Sequence, residues 1–260
     1  MADPGPILRD LADESRELDD LVSEARWSTP TPAKGWTIAH QIAHLAWTDA
    51  KSLIAVRMPD EFPAEVQRAL ATGDDFVDQG ARELAAKPRD ELLAMWRSGR
   101  EELARELARV PDGQKLPWYG PPMSAASMAT ARLMETWAHA QDVYDAIGLR
   151  REPTRRLWQI ARFGVRTRNF AFSVHGLAPP AEEFRVELSG VDGEEWTFGP
   201  ADAGQRVNGS ALGFCLVVTQ RRHPADTDVV AIGPDAEKWL EIAQAFAGPP
   251  GAGRKAGQFA

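Results

Sequence analysis

The segment METWAHAQDVYDAIG, residues 134–148, places three side chains that could bind a metal at helical spacing. Glu135 and His139 are four residues apart, and Asp142 follows three residues later. Side chains at these intervals share one face of a helix. A buried carboxylate without a partner costs free energy or becomes protonated. The pattern therefore indicates either a metal site or a solvated face on which Glu135 and His139 share a hydrogen bond.

A second segment, GWTIAHQIAHLAW, contains His40 and His44, again four residues apart. One of these histidines, with Glu135 and His139 from a facing helix, would supply a divalent ion with imidazole nitrogen and carboxylate oxygen. Three protein ligands leave positions open for water or substrate. An open site of this kind is typical of catalytic metals, whereas structural zinc sites are closed.

The elements that must position these residues are mostly helical. Thr37 and Ser124 are expected to cap the two helices that carry the motifs, and Gly148 to end the second one. Hydrophobic periodicity and Pro or Gly breaks predict helices over 6–26, 38–58, 62–72, 88–110, 125–147 and 153–174. The first two thirds of the chain therefore read as an antiparallel helical bundle.

After Pro180 the pattern changes to alternation of apolar and polar residues, which is typical of strands. Three strands are predicted in FRVELSG, VDGEEWTFG and DVVAIGP, with helices near 209–222 and 234–247. We expect a two-domain protein of class α plus α/β. Its parts would be a metal-binding bundle over 1–178, a small α+β domain over 179–250 and a flexible tail over 251–260.

Composition limits the classes of partner. The net charge is −8 and the Lys and Arg residues are scattered, so a general affinity for nucleic acid or for an anionic membrane is not expected. The single cysteine, Cys215, excludes an intrachain disulfide and is typical of a reducing compartment. Neither a signal peptide nor an apolar run of ~18 residues is present. We expect a cytoplasmic protein with a small-molecule substrate, which could form a homodimer.

Together, GWTIAHQIAHLAW and ETWAHAQDV resemble the mycothiol-dependent maleylpyruvate isomerase family, within the DinB-like metal-binding four-helix bundles. The resemblance covers about residues 6–150 and continues weakly into the C-terminal unit, which is similar to a sterol-carrier-like domain. It implies a zinc ion bound by His44, Glu135 and His139.

Three further residues follow from this resemblance. His40 would not bind the metal, and would have either a structural role or a place just outside the ligands. Asp142 would orient His139 or cap the site, and a plain surface acid is the alternative. Arg221, at the end of GSALGFCLVVTQRRH, matches a catalytic arginine that would face the metal from the C-terminal domain and bind a carboxylate. The alternative is a basic residue that favours a helix C-terminus.

These observations leave three functions open. The first is a mycothiol-dependent isomerase or S-transferase, an enzyme that acts on a small electrophilic or carboxylate substrate through an open zinc site. The second is a metal-dependent hydrolase that uses zinc-bound water. The third is a non-catalytic, metal-containing protein that binds a ligand. Thiol dependence would separate the first from the second, and turnover would separate both from the third.

Overall fold

The computed structural model describes residues 4–73 and 75–259, so residues 1–3, 74 and 260 of the predicted domains lie outside it. Contacts divide the chain into two compact units, Met1–Arg151 and Glu152–Ala260. The predicted fold class, a helical N-terminal part followed by a small α+β domain, is confirmed. Among the described residues, no helix is both long enough and apolar enough to cross a bilayer.

The first unit is built from helices whose ends follow local signals in the sequence. Thr37 precedes the second helix and shares a capping box with His40, and the Ser124 side chain accepts from the Ser127 amide. Gly148, with φ of 70°, follows the sixth. The helices are α1 (Gly5–Glu24), α2 (Ile38–Arg57), α3 (Phe62–Thr72), α4 (Phe76–Ala85), α5 (Arg89–Leu107) and α6 (Ala125–Ala146).

Helices α2 and α6 form the centre of this unit. Helix α2 packs against α4, α5 and α6, and α1 packs against α6. Buried side chains lie around most of the circumference of both helices. Leu18, Ile42, Leu45, Trp96 and Val143 belong to their common core, and burial of each large apolar side chain stabilises the fold by ~1.5–3 kcal/mol. Polar residues of α2 and α6 are therefore forced into the interior.

Ion pairs join the helices of this unit. Asp19 of α1 accepts hydrogen bonds from Arg97 and Arg100 of α5. Burial acts to raise the pKa of Asp19, but the two guanidinium groups outweigh it and the pKa is lowered. Asp49 of α2 accepts from Arg132 Nε of α6 at 2.9 Å, and both side chains are almost fully buried. Burial raises the pKa of Asp49 in spite of Arg132.

The sequence did not predict α4, whose ten residues follow a glycine break. Its close approach to α2 depends on Gly80, because a Cβ there would lie 2.4 Å from Nε1 of Trp47. The Trp47 ring is tilted against Phe76 of α4 and stacked on Tyr119 at a centroid distance of 6.4 Å. A short, mixed sequence such as FVDQGARELA has weak helical propensity on its own, and tertiary packing decides its structure.

Over its described residues, the second unit combines four α-helices with a four-stranded sheet. In the order β2-β1-β3-β4, β1 is parallel to β3, and β2 and β4 are antiparallel to their neighbours. Trp239 packs edge-on against Phe184 and Phe214 in its core. The elements are α7 (Leu157–Arg166), α8 (Arg168–Val174), β1 (Arg185–Ser189), β2 (Glu195–Phe198), β3 (Arg206–Ser210), α9 (Ala211–Val218), β4 (Val230–Ile232) and α10 (Pro234–Ile242).

Several details differ from the expected organisation. The helix expected over 153–174 is interrupted at Thr167, and its first part, α7, packs on α9 and β2. Both parts therefore lie in the second unit, although the sequence pattern placed them in the bundle.

Strand β3 was not predicted, because RVNGS has one large apolar residue, Val207, and no alternation of apolar and polar residues. In the predicted flexible tail, the Gly257 amide donates to Asp226 at 2.7 Å, and Arg222 lies 3.8 Å from the centroid of the Phe259 ring.

Candidate metal centre

Three of the predicted residues meet between α2 and α6. One donor atom from each of His44, Glu135 and His139 lies within 4.8 Å of the other two. Glu135 Oε2 is 3.2 Å from His139 Nε2 and 3.5 Å from His44 Nε2. One carboxylate oxygen therefore faces the Nε2 atoms of two imidazoles that are each 7% exposed.

This donor set fits a divalent metal. Neither ring nitrogen of His44 has a hydrogen-bond partner among the described residues, although both are buried. Buried polar atoms are rarely left in this state, since each unmade hydrogen bond costs free energy. A metal that takes two imidazole nitrogens and one carboxylate oxygen would use His44 Nε2 directly. The solvated-face alternative does not account for the burial of His44 and His139.

The charge of Glu135 suits the same role. Burial acts to raise the pKa of Glu135, but the neighbouring side chains of His139 and His44 outweigh it and hold the pKa well below its ordinary value. The carboxylate is therefore ionised at neutral pH, as a metal ligand must be. Glu135 is also the most accessible of the three, with its side chain 20% exposed.

Gln41 fixes the orientation of His139, and sequence reasoning missed it. The Oε1 atom of Gln41 faces His139 Nδ1 within hydrogen-bonding distance, and Gln41 Nε2 donates to Thr31 Oγ1 at 2.8 Å. With the amide so held, Nδ1 of a neutral His139 is the protonated nitrogen, and Nε2 would offer its lone pair to a metal that also binds Glu135. The signal available in the sequence was a glutamine three positions before His44, on the same face of the helix.

Trp36 forms an aromatic wall over both histidines and was not predicted either. Its ring stacks on His139 at 5.9 Å between centroids and lies 5.6 Å from His44. The indole Nε1 donates to Asp78 of α4 at 3.0 Å, which fixes the ring. This wall shields one side of the donor cluster from water and leaves approach from the side of Glu135.

The other predicted residues have defined surroundings. His40 Nδ1 accepts from the Thr37 amide at 3.3 Å, so this histidine caps the start of α2. Asp142 is 1% exposed, which excludes the surface-acid alternative. Arg221 lies in the second unit, after Gln220 (φ 58°), and its Nη1 donates to the Thr219 carbonyl at 2.6 Å. The roles of these residues at a metal site stay predictions.

The fold and the donor cluster define a class: helical bundles with two histidines and one carboxylate on facing helices, followed by a small α+β unit. The family model described as mycothiol maleylpyruvate isomerase N-terminal domain matches residues 8–144. Because that match spans more than half of the chain, the protein belongs to this family. The resemblance seen in the two histidine motifs is confirmed.

Similar proteins are found in Mycobacterium tuberculosis. Two of them, the uncharacterized proteins Rv0036c and MT0041, are 59% identical to this chain over 98% of its length and 100% of theirs. Among solved structures, the crystal structure of the mycothiol-dependent maleylpyruvate isomerase matches with a TM-score of 0.60 at 15% identity, covering 94% of this chain and 97% of that one. A histidine-to-alanine mutant of it matches with a TM-score of 0.59. At this identity the match shows a shared fold.

The C-terminal unit matches a different description from the one that the sequence pattern suggested. Residues 180–232 match the model described as wyosine base formation, whereas the resemblance had indicated a sterol-carrier-like domain. The matched region runs from the start of the sheet through β4. The structure itself shows a small α+β unit over this region, as the sequence pattern predicted.

Proposed function

We propose that this protein is a mycothiol-dependent isomerase or S-transferase that acts on a small electrophilic or carboxylate substrate. Its centre would be a zinc ion held by His44, Glu135 and His139. The observation that supports this most is the convergence of three donor atoms within 4.8 Å around a buried histidine with no hydrogen bond to its ring among the described residues. Membership of the isomerase family supports the thiol.

A zinc ion with open positions lowers the pKa of a bound thiol and polarises a bound carbonyl. The residues around it would divide the remaining work. Gln41 keeps the Nδ1 proton on His139, so that Nε2 stays available. Glu135 would contribute the one negative charge among the three residues, so a divalent ion held there would keep a positive charge that favours a thiolate over a thiol. Trp36 limits access of water from its side.

Arg221 would bind a carboxylate of the substrate. A guanidinium presents two parallel N–H groups to a carboxylate, and lysine cannot reproduce this fork. Arg221→Lys is expected to keep the metal content and lose most of the turnover. Wild-type turnover in Arg221→Lys would remove Arg221 from the reaction and leave the metal centre unaffected.

Metal content tests the centre directly. Elemental analysis of the purified protein is expected to find about one divalent ion per chain, and His44→Ala and Glu135→Ala are expected to lose it, since each removes one of three ligands. His40→Ala is the comparison variant, because it removes a histidine of the same helix that caps the helix end. It is expected to keep most of the metal and to weaken the affinity about 10- to 100-fold. Full metal content in both ligand variants would show that the cluster is not the metal site.

Thiol dependence tests the reaction class. The zinc-loaded protein is screened against maleylpyruvate and small electrophiles with and without mycothiol. The proposal predicts turnover only when the thiol is present. Equal turnover without thiol would indicate the hydrolase, and no turnover of any substrate would indicate the ligand-binding protein.

A further inference from the structure

A cavity of about 210 Å³ opens along the same helix that carries His44. Trp47 and Lys51 of α2 line it and follow His44 by three and seven residues, so the three side chains share one face of α2. Lys51 is roughly 10 Å from His44 along the helix axis. The opposite walls come from α3, with Glu65, Arg68 and Thr72, and from α4.

The polar wall of this cavity is a connected network centred on Glu65, whose side chain is 8% exposed. Lys51 Nζ pairs with Glu65 Oε1, Arg68 Nη2 lies 2.9 Å from Oε2, and the Tyr119 hydroxyl donates to Oε1 at 3.2 Å. Lys51 and Arg68 keep further N–H groups beyond these bonds, because an ammonium has three donors and a guanidinium five.

A second, smaller polar group lies on α4. Gln79 Nε2 donates to Glu83 Oε1 at 2.9 Å, and both residues line the cavity. Among the lining residues that the structure describes there are two cations and two carboxylates, so their charges cancel. A wall with several donors and acceptors but no net charge favours a neutral polar ligand over an anion.

The protonation of this network is fixed around neutral pH. Burial acts to raise the pKa of Glu65, but Lys51 and Arg68 outweigh it and the pKa is lowered, so the carboxylate stays ionised. Burial, and then the charge of Glu65, raises the pKa of Tyr119, so the phenol stays protonated. Around neutral pH, Glu65 therefore stays a hydrogen-bond acceptor and the Tyr119 hydroxyl keeps its proton.

The apolar wall is aromatic. The Trp47 ring borders the cavity, and Gly80 leaves room for it where any Cβ would overlap it. Phe76 lies beside it at a centroid distance of 5.9 Å, and Lys51 Nζ is 5.2 Å from the ring centroid. An aromatic wall opposite paired donors and acceptors suits a ring with an apolar C–H face and hydroxyl groups at its edge.

We propose that this cavity binds a neutral, hydroxyl-rich ring. Its volume is below the ~300–1,000 Å³ of sites that enclose a whole ligand, so it accommodates one part of a larger molecule. The proposal rests on the proposed function in one respect: the ring would belong to the thiol cosubstrate, whose sulfur would reach the metal from two helical turns away. Mycothiol meets this description, because it links its cysteine to hydroxyl-rich rings.

The test compares thiols with and without such rings. Binding of mycothiol and of N-acetylcysteine to the zinc-loaded full chain is measured by titration calorimetry for wild type, Lys51→Met and Arg68→Met. Arg105→Met is the matched control, since Arg105 is about as exposed as Arg68 (60% and 67%) and lies on α5 outside the cavity. Glu65 keeps a cationic partner in each variant.

The expected result is that each cavity variant raises the Kd of mycothiol about tenfold, through loss of a charge-assisted hydrogen bond. The Kd of N-acetylcysteine and the metal content would stay unchanged, and Arg105→Met would match wild type. An unchanged Kd of mycothiol in both cavity variants would overturn the proposal.

A third ligand separates this proposal from the proposed function. If wild type binds neither thiol, the thiol-dependent function fails. Binding of methyl glucoside then shows whether the cavity accepts a hydroxyl-rich ring. Weak binding of methyl glucoside that Lys51→Met abolishes would support a site for a free sugar or polyol. No binding of methyl glucoside in that case would overturn the cavity proposal too.

Discussion

Replacing Gln41 by leucine tests whether Gln41 orients His139 for the proposed metal site. Gln41 is fully buried, and leucine has a similar size, so the change removes the amide with little loss of packing. His139 loses the acceptor for its Nδ1 proton. Thr31 loses one donor but keeps its own bond to the Trp36 carbonyl at 3.2 Å. The main local cost is therefore one unsatisfied imidazole nitrogen.

The expected loss of metal affinity follows from the hydrogen bond between Gln41 and His139. Loss of a partner that orients a metal-bound histidine weakens metal binding about 10- to 100-fold, which corresponds to about 1.4–2.7 kcal/mol. In the metal-free protein, one buried donor without an acceptor costs ~1–3 kcal/mol of the free energy of unfolding. Gln41→Leu should therefore lower both the zinc affinity and the thermal stability of the metal-free chain.

Competition with a chromophoric chelator at constant pH measures the zinc affinity. Gln41→Glu is the informative control, because a carboxylate still accepts from His139 Nδ1 and makes the imidazole a stronger ligand. We expect Gln41→Glu to bind zinc at least as tightly as Gln41→Leu, and closer to wild type. Wild-type affinity in Gln41→Leu would refute an orienting role for Gln41. Equal weakening in both variants would assign the effect to packing.

Three further predictions concern stability. Asp49→Leu or Arg132→Met alone should cost about 3–5 kcal/mol in denaturant titrations, because each leaves a buried charged partner, and the double variant should recover most of that loss. Gly80→Ala should destabilise by ~1–3 kcal/mol through overlap with an indole, whereas Gly99→Ala, with open space at its Cβ, should be neutral or stabilising. Asp19 has a lowered pKa in the folded chain, so its carboxylate stabilises the fold above the unfolded pKa of about 3.9. This contribution is lost as the pH falls through the folded pKa. In urea titrations from neutral pH into acid, the free energy of unfolding of Asp19→Asn should therefore depend less on pH than that of wild type.

The helices that carry His44, Glu135 and His139 could be predicted because their signals are local. Thr37 and Ser124 are N-cap residues, and the structure begins α2 and α6 directly after them. The spacing of Glu135 and His139 on one helix then predicts that they face the same direction. Choosing His44 over His40 as the third residue came from the family resemblance, since spacing alone treats the two histidines alike.

Other parts depend on contacts that no local pattern encodes. Helix α4 is held by the approach of Gly80 to Trp47, and β3 has only Val207 fully buried to mark it as a strand. Gln41 and Trp36 acquire their roles only when α2 and α6 are brought together, so neither could be assigned from one segment. The role of Arg221 depends on the other unit of the chain and stays a prediction.

The stacking of Trp36 on His139 gives the centre an intrinsic optical probe. Indole emission responds to charge and to paramagnetic ions within a few ångströms, and this ring lies 5.9 Å from one imidazole and 5.6 Å from the other. The chain has nine tryptophans, so the signal of interest is the difference between wild type and Trp36→Phe. Titration with Co²⁺ or Cu²⁺ would then report occupancy in real time, and stopped-flow mixing would give the rates at which the ion enters and leaves.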